Sequence, residues 1–209
     1  MAVSYQVKQG DCIFSIAYEN GFFADTIWNH PNNKDLKEKR KDPNVLMPGD
    51  SVYVPDKRLR EYSEATNQVY KYKCKNTPKL LRIQLMYIDT PVKGIDYKIS
   101  IDGGVEKDGT TDPDGWLQTS ILPKAKKVKI SMEGGIEYEI ALGYLNPADE
   151  VSGIQGRLAH LGFYEGKVDG VLNPEIKNAV KAFQISQNLE ATGEIDSSIE
   201  DLLKQLTGV

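Results

Sequence analysis

The sequence predicts an α+β multidomain protein, with a βααβ module first, an antiparallel β-sandwich in the middle and a three-helix bundle last. Three observations predict it. Two short alternating apolar runs enclose two helical patterns within the first 56 residues. Four further alternating runs, separated by Gly, Pro and Asp turns, occupy the middle. Three amphipathic stripes with capping residues close the chain. The boundaries fall at 1–56, 57–143 and 144–209.

Composition narrows the function classes. The chain has 209 residues, 40% hydrophobic and 27% charged, with a net charge of −4. A weakly acidic protein has no general attraction for nucleic acid or anionic lipid. The basic runs Lys37 to Lys41 and Lys124 to Lys127 read as solvated surface. No apolar stretch approaches the ~20 residues of a membrane helix, so no membrane partner is expected. The N-terminus lacks a basic start followed by an apolar core. Synthesis in the cytoplasm is therefore expected, with delivery to the periplasm or cell wall by a route other than general secretion. Cys12 and Cys74 fall in different predicted domains and read as reduced thiols rather than a disulfide framework.

In the first segment, Tyr5 and Val7 alternate with polar residues as a strand. Gly10-Asp11 breaks it, and Asp11 suits a helix N-cap. Ile13, Ile16 and Ala17 follow at helical spacing, and Gly21 suits the stop. Asp25 is placed to cap a second helix carrying Ile27 and Trp28, which Pro31 ends. A charged loop, His30 to Asn44, leads to the turn Pro48-Gly49-Asp50 and to a strand with Val52 and Val54.

Tyr5-Gln6-Val7-Lys8-Gln9-Gly10-Asp11, Ile13, Ile16-Ala17, Ile27, Asn29 and Leu46-Met47-Pro48-Gly49-Asp50-Ser51-Val52-Tyr53-Val54-Pro55 together resemble a LysM domain. The resemblance implies binding of N-acetylglucosamine glycans such as peptidoglycan or chitin. It places the groove between Gly10, Asp11, Cys12 and Ile13 on one side and Leu46, Met47, Pro48 and Gly49 on the other, with Asn29 as a further candidate contact. Apolar side chains and backbone amides in a shallow groove suit sugar ring faces and acetamido groups. The segment departs from the family in its long His30 to Asn44 stretch, which extends or blocks the groove, and in Cys12, where Thr or Ser is usual.

In the middle segment, Lys57 to Lys71 is a polar linker or a wrapping strand. Strands are expected around Leu81 to Tyr87, Tyr97 to Ile101, Val128 to Met132 and Tyr138 to Leu142. The lysines after Pro123 suit an exposed edge strand. Gly109-Thr110-Thr111-Asp112-Pro113-Asp114-Gly115-Trp116 resembles the turn of small transthyretin-like or carboxypeptidase-regulatory-like sandwiches. Related modules are appended to spike proteins of contractile injection (type VI secretion) systems, which the resemblance makes candidate partners. Asp108, Asp112 and Asp114 lack the full calcium-loop pattern and read as turn residues.

In the last segment, Val151, Ile154, Leu158 and Leu161 form a stripe ended by Gly162. Asn173-Pro174-Glu175 starts a second helix, with a cap, a first-turn proline and an acid at the positive end of the dipole. Asp196 caps a third, bearing Ile199, Leu202, Leu203 and Leu206. Ile154-Gln155, Leu158, Leu161-Gly162-Phe163-Tyr164, Gly166, Val168-Asp169-Gly170, Ala179-Val180, Phe183-Gln184, Leu189, Thr192-Gly193, Ile195-Asp196 and Leu202 resemble the peptidoglycan-binding-domain-like three-helix family. The resemblance implies a second glycan site, for which Tyr164, Asp169, Gly170 and Gln184 are the candidates.

No catalytic constellation emerges. His30 and His160 lie in different segments, without a metal-ligand cluster. His160 sits beside a helix C-terminus, where a partly protonated imidazole is comfortable. No base is local to Cys12, and no carboxylate pair stands out as glycosidase acid and base. Trp28 and Trp116 read as packing residues. The expectation is a non-catalytic cell-wall binding protein needing no cofactor or metal. The alternatives are an adaptor using these folds for protein contacts and a wall hydrolase.

Overall fold

The computed structural model describes residues 2–57, 61, 63–71, 78–87 and 90–208. Cys74 and part of the expected linker lie outside the described residues. The protein is a mixture of α-helices and antiparallel sheets, and it folds as two compact units. One comprises Met1–Tyr5, Phe14–Ile27 and Tyr53–Leu142, and the other Gln6–Ile13, Trp28–Val52 and Gly143–Val209.

The N-terminal elements are β1 (Val3–Gln6), α1 (Ile13–Asn20), α2 (Ala24–Trp28), a 3-10 turn (Pro31–Asn33), α3 (Lys34–Arg40) and β2 (Ser51–Val54). β1 pairs with β2. Ile13, Ile16, Ile27 and Val52 are wholly buried, each such side chain contributing about 1.5–3 kcal/mol of apolar burial. Gly21 ends α1 at φ 69°, and Phe22 N–H returns to the Ala17 carbonyl at 2.8 Å. Asp25 is not the cap expected of it; it lies within the first turn of α2, where its charge still opposes the dipole.

The charged loop expected over His30 to Asn44 contains a helix instead. In α3, Lys34 and Glu38 pair at i,i+4, Asp35 lies in the first turn, and Lys37, Lys39 and Arg40 lie in the last. Those are strong helix formers placed well against the dipole. Leu36 is the single apolar residue of the helix, so no hydrophobic period announced it.

The first unit also contains β3 (Lys79–Gln84), β4 (Met86–Tyr87), β5 (Thr90–Pro91), β6 (Asp96–Ile101), β7 (Lys107–Thr110), β8 (Trp116–Ile121), β9 (Lys127–Met132) and β10 (Ile136–Ala141). Four strands make a sheet in the order β10-β9-β6-β7, while β3 pairs with β8 and β4 with β5. Every register resolved in these sheets is antiparallel. Tyr97, Ile99, Val128 and Ile130 of the larger sheet share one core with Leu117, Leu81 and Ile83 of the β3–β8 pair. The strand that the lysines after Pro123 lead into is not an edge, because β9 runs between β10 and β6. Lys127 and Lys129 of β9 alternate outward and meet acids across the ladder, Lys127 with Glu139 at 2.5 Å and Lys129 with Glu137 at 2.8 Å.

In the second unit, α4 (Val151–His160), α5 (Pro174–Ser186) and α6 (Ser197–Thr207) surround a core of Ile154, Leu158, Tyr164, Ile176, Val180, Phe183, Ile199 and Leu203. Asn173 caps α5 by accepting from Ile176 N–H at 2.9 Å. Asp196 caps α6 by accepting from Ser198 and Ile199 N–H, both at 3.0 Å.

Candidate functional site

The N-terminal candidates sit on two turns. Gly10 and Gly49 take φ of 85° and 92°, the left-handed region that glycine enters without steric cost. Asp11 is buried, and its carboxylate accepts from Lys8 N–H at 3.0 Å. Cys12 is half-buried and outside any disulfide, whereas Ile13 and Leu46 are buried. Met47 is half-buried, and Pro48 and Gly49 are exposed. Asn29 is exposed and accepts from Lys37 Nζ at 2.6 Å, a lysine of α3.

Several amides that a sugar would need here bond within the protein. Asp11 N–H donates to Lys8 O at 3.0 Å, Ile13 N–H to Pro43 O at 2.9 Å and Gly49 N–H to Val7 O at 2.9 Å. Met47 N–H donates to Asp50 Oδ2 at 2.9 Å. Gly10 is buried under the chain entering the helical domain. A Cβ on Gly143 would stand 2.6 Å from Gly10 O, and Gln9 Nε2 donates to Tyr144 O at 3.4 Å.

The last residue of α3 locks these turns. Arg40 Nε and Nη2 donate to Asp50 Oδ2 and Oδ1 at 2.7 and 3.0 Å, and Nη1 donates to Glu150 Oε1 at 3.3 Å. The Arg40 and Asp50 side chains are 2% and 8% exposed. Burial by itself raises the Asp50 pKa. The Arg40 hydrogen bond, the Met47 N–H and the Arg40 and Lys39 charges outweigh it and hold the carboxyl below its ordinary value.

The helical domain contains a different kind of site. Phe163, Tyr164, Glu165 and Gly166 face Glu175, Asn178, Ala179 and Ala182 of α5 across an open groove of about 550 Å³. The floor is aromatic and methyl surface, and the rim carries two carboxylates and a carboxamide. Apolar walls with a few orienting polar groups suit an amphipathic ligand such as a sugar. Gly166 is required by the Tyr164 ring, which would lie 2.5 Å from a Cβ there. Phe163 is held edge-on against Phe183, with centroids 5.5 Å apart.

Of the four residues expected at this second site, Tyr164 lines the groove and the other three hold loops. Asp169 and Gly170 N–H donate to Gln155 Oε1 at 3.0 and 2.8 Å. Gln155 Nε2 donates in turn to Asp169 Oδ1 at 3.1 Å, Val171 O at 3.2 Å and Tyr164 Oη at 3.4 Å. Gln184 repeats the device on α5: its Oε1 accepts from Gly193 N–H at 2.8 Å, and its Nε2 donates to Thr192 Oγ1 at 2.9 Å. Both glutamines are buried. The groove residues that sequence reading missed share one face of α5. Glu175, Asn178, Ala179 and Ala182 recur at helical spacing, a signal visible only once the face is known to be uncovered.

Elsewhere, Asp112 Oδ1 accepts from Asp114 and Trp116 N–H at 3.0 and 2.9 Å, the work of a turn residue. Among the described residues, no group of three or more His, Cys, Asp or Glu is placed to hold a metal ion. No described helix is long and apolar enough to cross a membrane. Trp28 is buried, while Trp116 lies under the Arg82 guanidinium at 4.5 Å. The partly protonated imidazole expected at His160 is disfavoured, since desolvation and then the Arg157 charge lower its pKa, although the residue as a whole is exposed.

Residues 147–203 match the family described as "Putative peptidoglycan binding domain". The match spans the core of the helical domain, its two glutamine-anchored loops and the groove. Comparison with curated proteins and with solved structures gives no match.

Proposed function

We propose that this chain is a non-catalytic peptidoglycan-binding protein whose helical domain receives the glycan between Phe163–Gly166 and α5. The observation that carries the reading is the coincidence of the family match over 147–203 with an open, aromatic-floored groove in the same residues. The half-buried Phe163 offers surface to sugar ring faces, and Asn178, Glu165 and Glu175 offer partners to hydroxyl and acetamido groups. Co-sedimentation with purified peptidoglycan tests it. The intact chain should pellet above a control protein without releasing soluble fragments, and Ala182→Glu on the exposed face of α5 should abolish pelleting. No enrichment of the intact chain overturns the reading, and fragment release would make it a hydrolase.

A LysM-like module is supported by β1, α1, α2 and β2, although α3 is inserted between α2 and β2, and by the turns at Gly10-Asp11 and Pro48-Gly49-Asp50. A protein-contacting role for its loops is favoured by one specific arrangement: Gly10 lies against Gly143, and Arg40 reaches Glu150. Attachment to an injection-system spike rests on the resemblance over Gly109 to Trp116, and co-purification with spike proteins tests it.

A further inference from the structure

The groove of the helical domain has a charge pattern that its apolar floor does not explain. Glu165 stands on the Phe163–Gly166 side, and Glu175 and Asn178 stand on the α5 side. All three are exposed. Among the described residues, none of the three side chains has a hydrogen bond or ion pair within the protein. The lining contains no lysine, arginine or histidine. Two negative charges therefore border the groove without a cation among them.

Other acids of this domain are committed to the fold. Asp169 accepts from Gln155 Nε2 and Val171 N–H at 3.1 and 2.9 Å, and Asp196 caps α6. Glu165 and Glu175 hold no loop, and it is Asn173 that caps α5. Ionised carboxylates accept hydrogen bonds and donate none. A ligand carboxylate would be repelled by the pair. A neutral ligand that displaced water from the rim would leave both charges without a counter-charge. A ligand ammonium brings both donors and the opposite charge.

Building on the peptidoglycan reading of this groove, we propose that Glu165 and Glu175 make it selective for peptidoglycan that carries a free primary amine. The ammonium group lies at the acidic rim. The sugar or peptide that bears it rests on Phe163 and Ala182, with Asn178 left for its neutral polar groups. Such an amine has two sources: a diamino acid in a stem peptide that is not cross-linked, or a glucosamine without its acetyl group. Cross-linking or acetylation removes the charge, so the groove discriminates against both.

The test is co-sedimentation of the full chain with peptidoglycan whose free amines are intact or have been acetylated with acetic anhydride. Exposed ion pairs each change affinity about two- to fivefold. Acetylation should therefore weaken pelleting about tenfold, as should Glu165→Gln with Glu175→Gln on untreated peptidoglycan. Both side chains are exposed, so the double variant should keep the spectrum of the folded chain, and it should bind the two preparations alike. Equal pelleting of the intact chain on both preparations, or a double variant that still prefers the untreated one, overturns the selectivity and leaves peptidoglycan binding standing. Pelleting on neither preparation overturns both. Chemical-shift titration then identifies the source of the amine, read at the amides of the groove residues 163–166 and 175–182. Shifts with a glucosamine oligomer but not with an N-acetylglucosamine oligomer assign it to the sugar. Shifts with an N-acetyl-alanyl-glutamyl-lysine peptide but not with its side-chain-acetylated form assign it to the stem peptide. A response to neither free amine overturns the proposal.

Discussion

Arg40 and Asp50 meet through two parallel hydrogen bonds, Nε to Oδ2 at 2.7 Å and Nη2 to Oδ1 at 3.0 Å, with both side chains withdrawn from water. The fork geometry is one that only arginine offers a carboxylate. It ties the end of α3 to the turn that precedes β2.

Removing one member strands the other. Arg40→Ala should cost about 3 kcal/mol, because the Asp50 charge is left buried without its partner. Arg40→Lys should recover only part of that, lacking the fork. Replacing both members by leucine should be milder than either single change. Denaturant unfolding of the three variants checks this, and a double variant no better than Arg40→Ala would refute it.

The same pair gives a pH dependence of definite sign. The Asp50 pKa is depressed in the folded protein, so the folded state holds fewer protons at this site than the unfolded one near the ordinary value. Its contribution is fully present above the unfolded pKa of about 3.9 and is lost as pH falls through the lower folded value. Stability measured between pH 6 and pH 2, with pH 6 and pH 2 taken as roughly bracketing the transition, should show an acid limb that Asp50→Asn flattens. An unchanged limb would place the acid sensitivity elsewhere.

Gln155 and Gln184 anchor loops from inside the core. Gln155→Leu keeps the volume but leaves the Asp169 and Gly170 N–H groups without their acceptor, at about 2 kcal/mol. Hydrogen exchange should rise at residues 169–171 and not at 192–194, and Gln184→Leu should give the converse. Exchange rising equally in both loops would mean that the two anchors are not independent.

Gly153 and Gly162 separate crowding from backbone strain. A Cβ on Gly153 would overlap the Pro147 carbonyl oxygen and lie 2.7 Å from Asn146 O. Those atoms are backbone and cannot swing aside, so Gly153→Ala should cost more than about 3 kcal/mol. Around Gly162 there is open space, but φ is 78°, so alanine there should cost about 1 kcal/mol. Thermal unfolding that ranks the two the other way would contradict the packing described for α4.

What sequence alone disclosed follows the range of the forces involved. The helices α4, α5 and α6 announce themselves through local devices, the Asn173 and Asp196 caps and stripes such as Ile176, Val180 and Phe183. The strands β6, β9 and β10 show period-two alternation. Helix α3 has Leu36 as its single apolar residue, and β7 reads Lys-Asp-Gly-Thr, so neither carries a hydrophobic period and both were missed. The candidate sites were legible only as neighbourhoods. That Gln184 holds a loop while Asn178 faces a groove depends on which side of α5 is covered, and this is decided by residues far along the chain.

The twin glutamine anchors have an evolutionary corollary. Each holds its loop at a dipeptide, Asp169-Gly170 or Thr192-Gly193, and Glu165 and Lys167 in the first loop are exposed. Substitutions at those exposed positions leave the anchoring amides untouched. The rim of the groove can therefore diversify, residue by residue, on a scaffold that does not have to refold to accept each change.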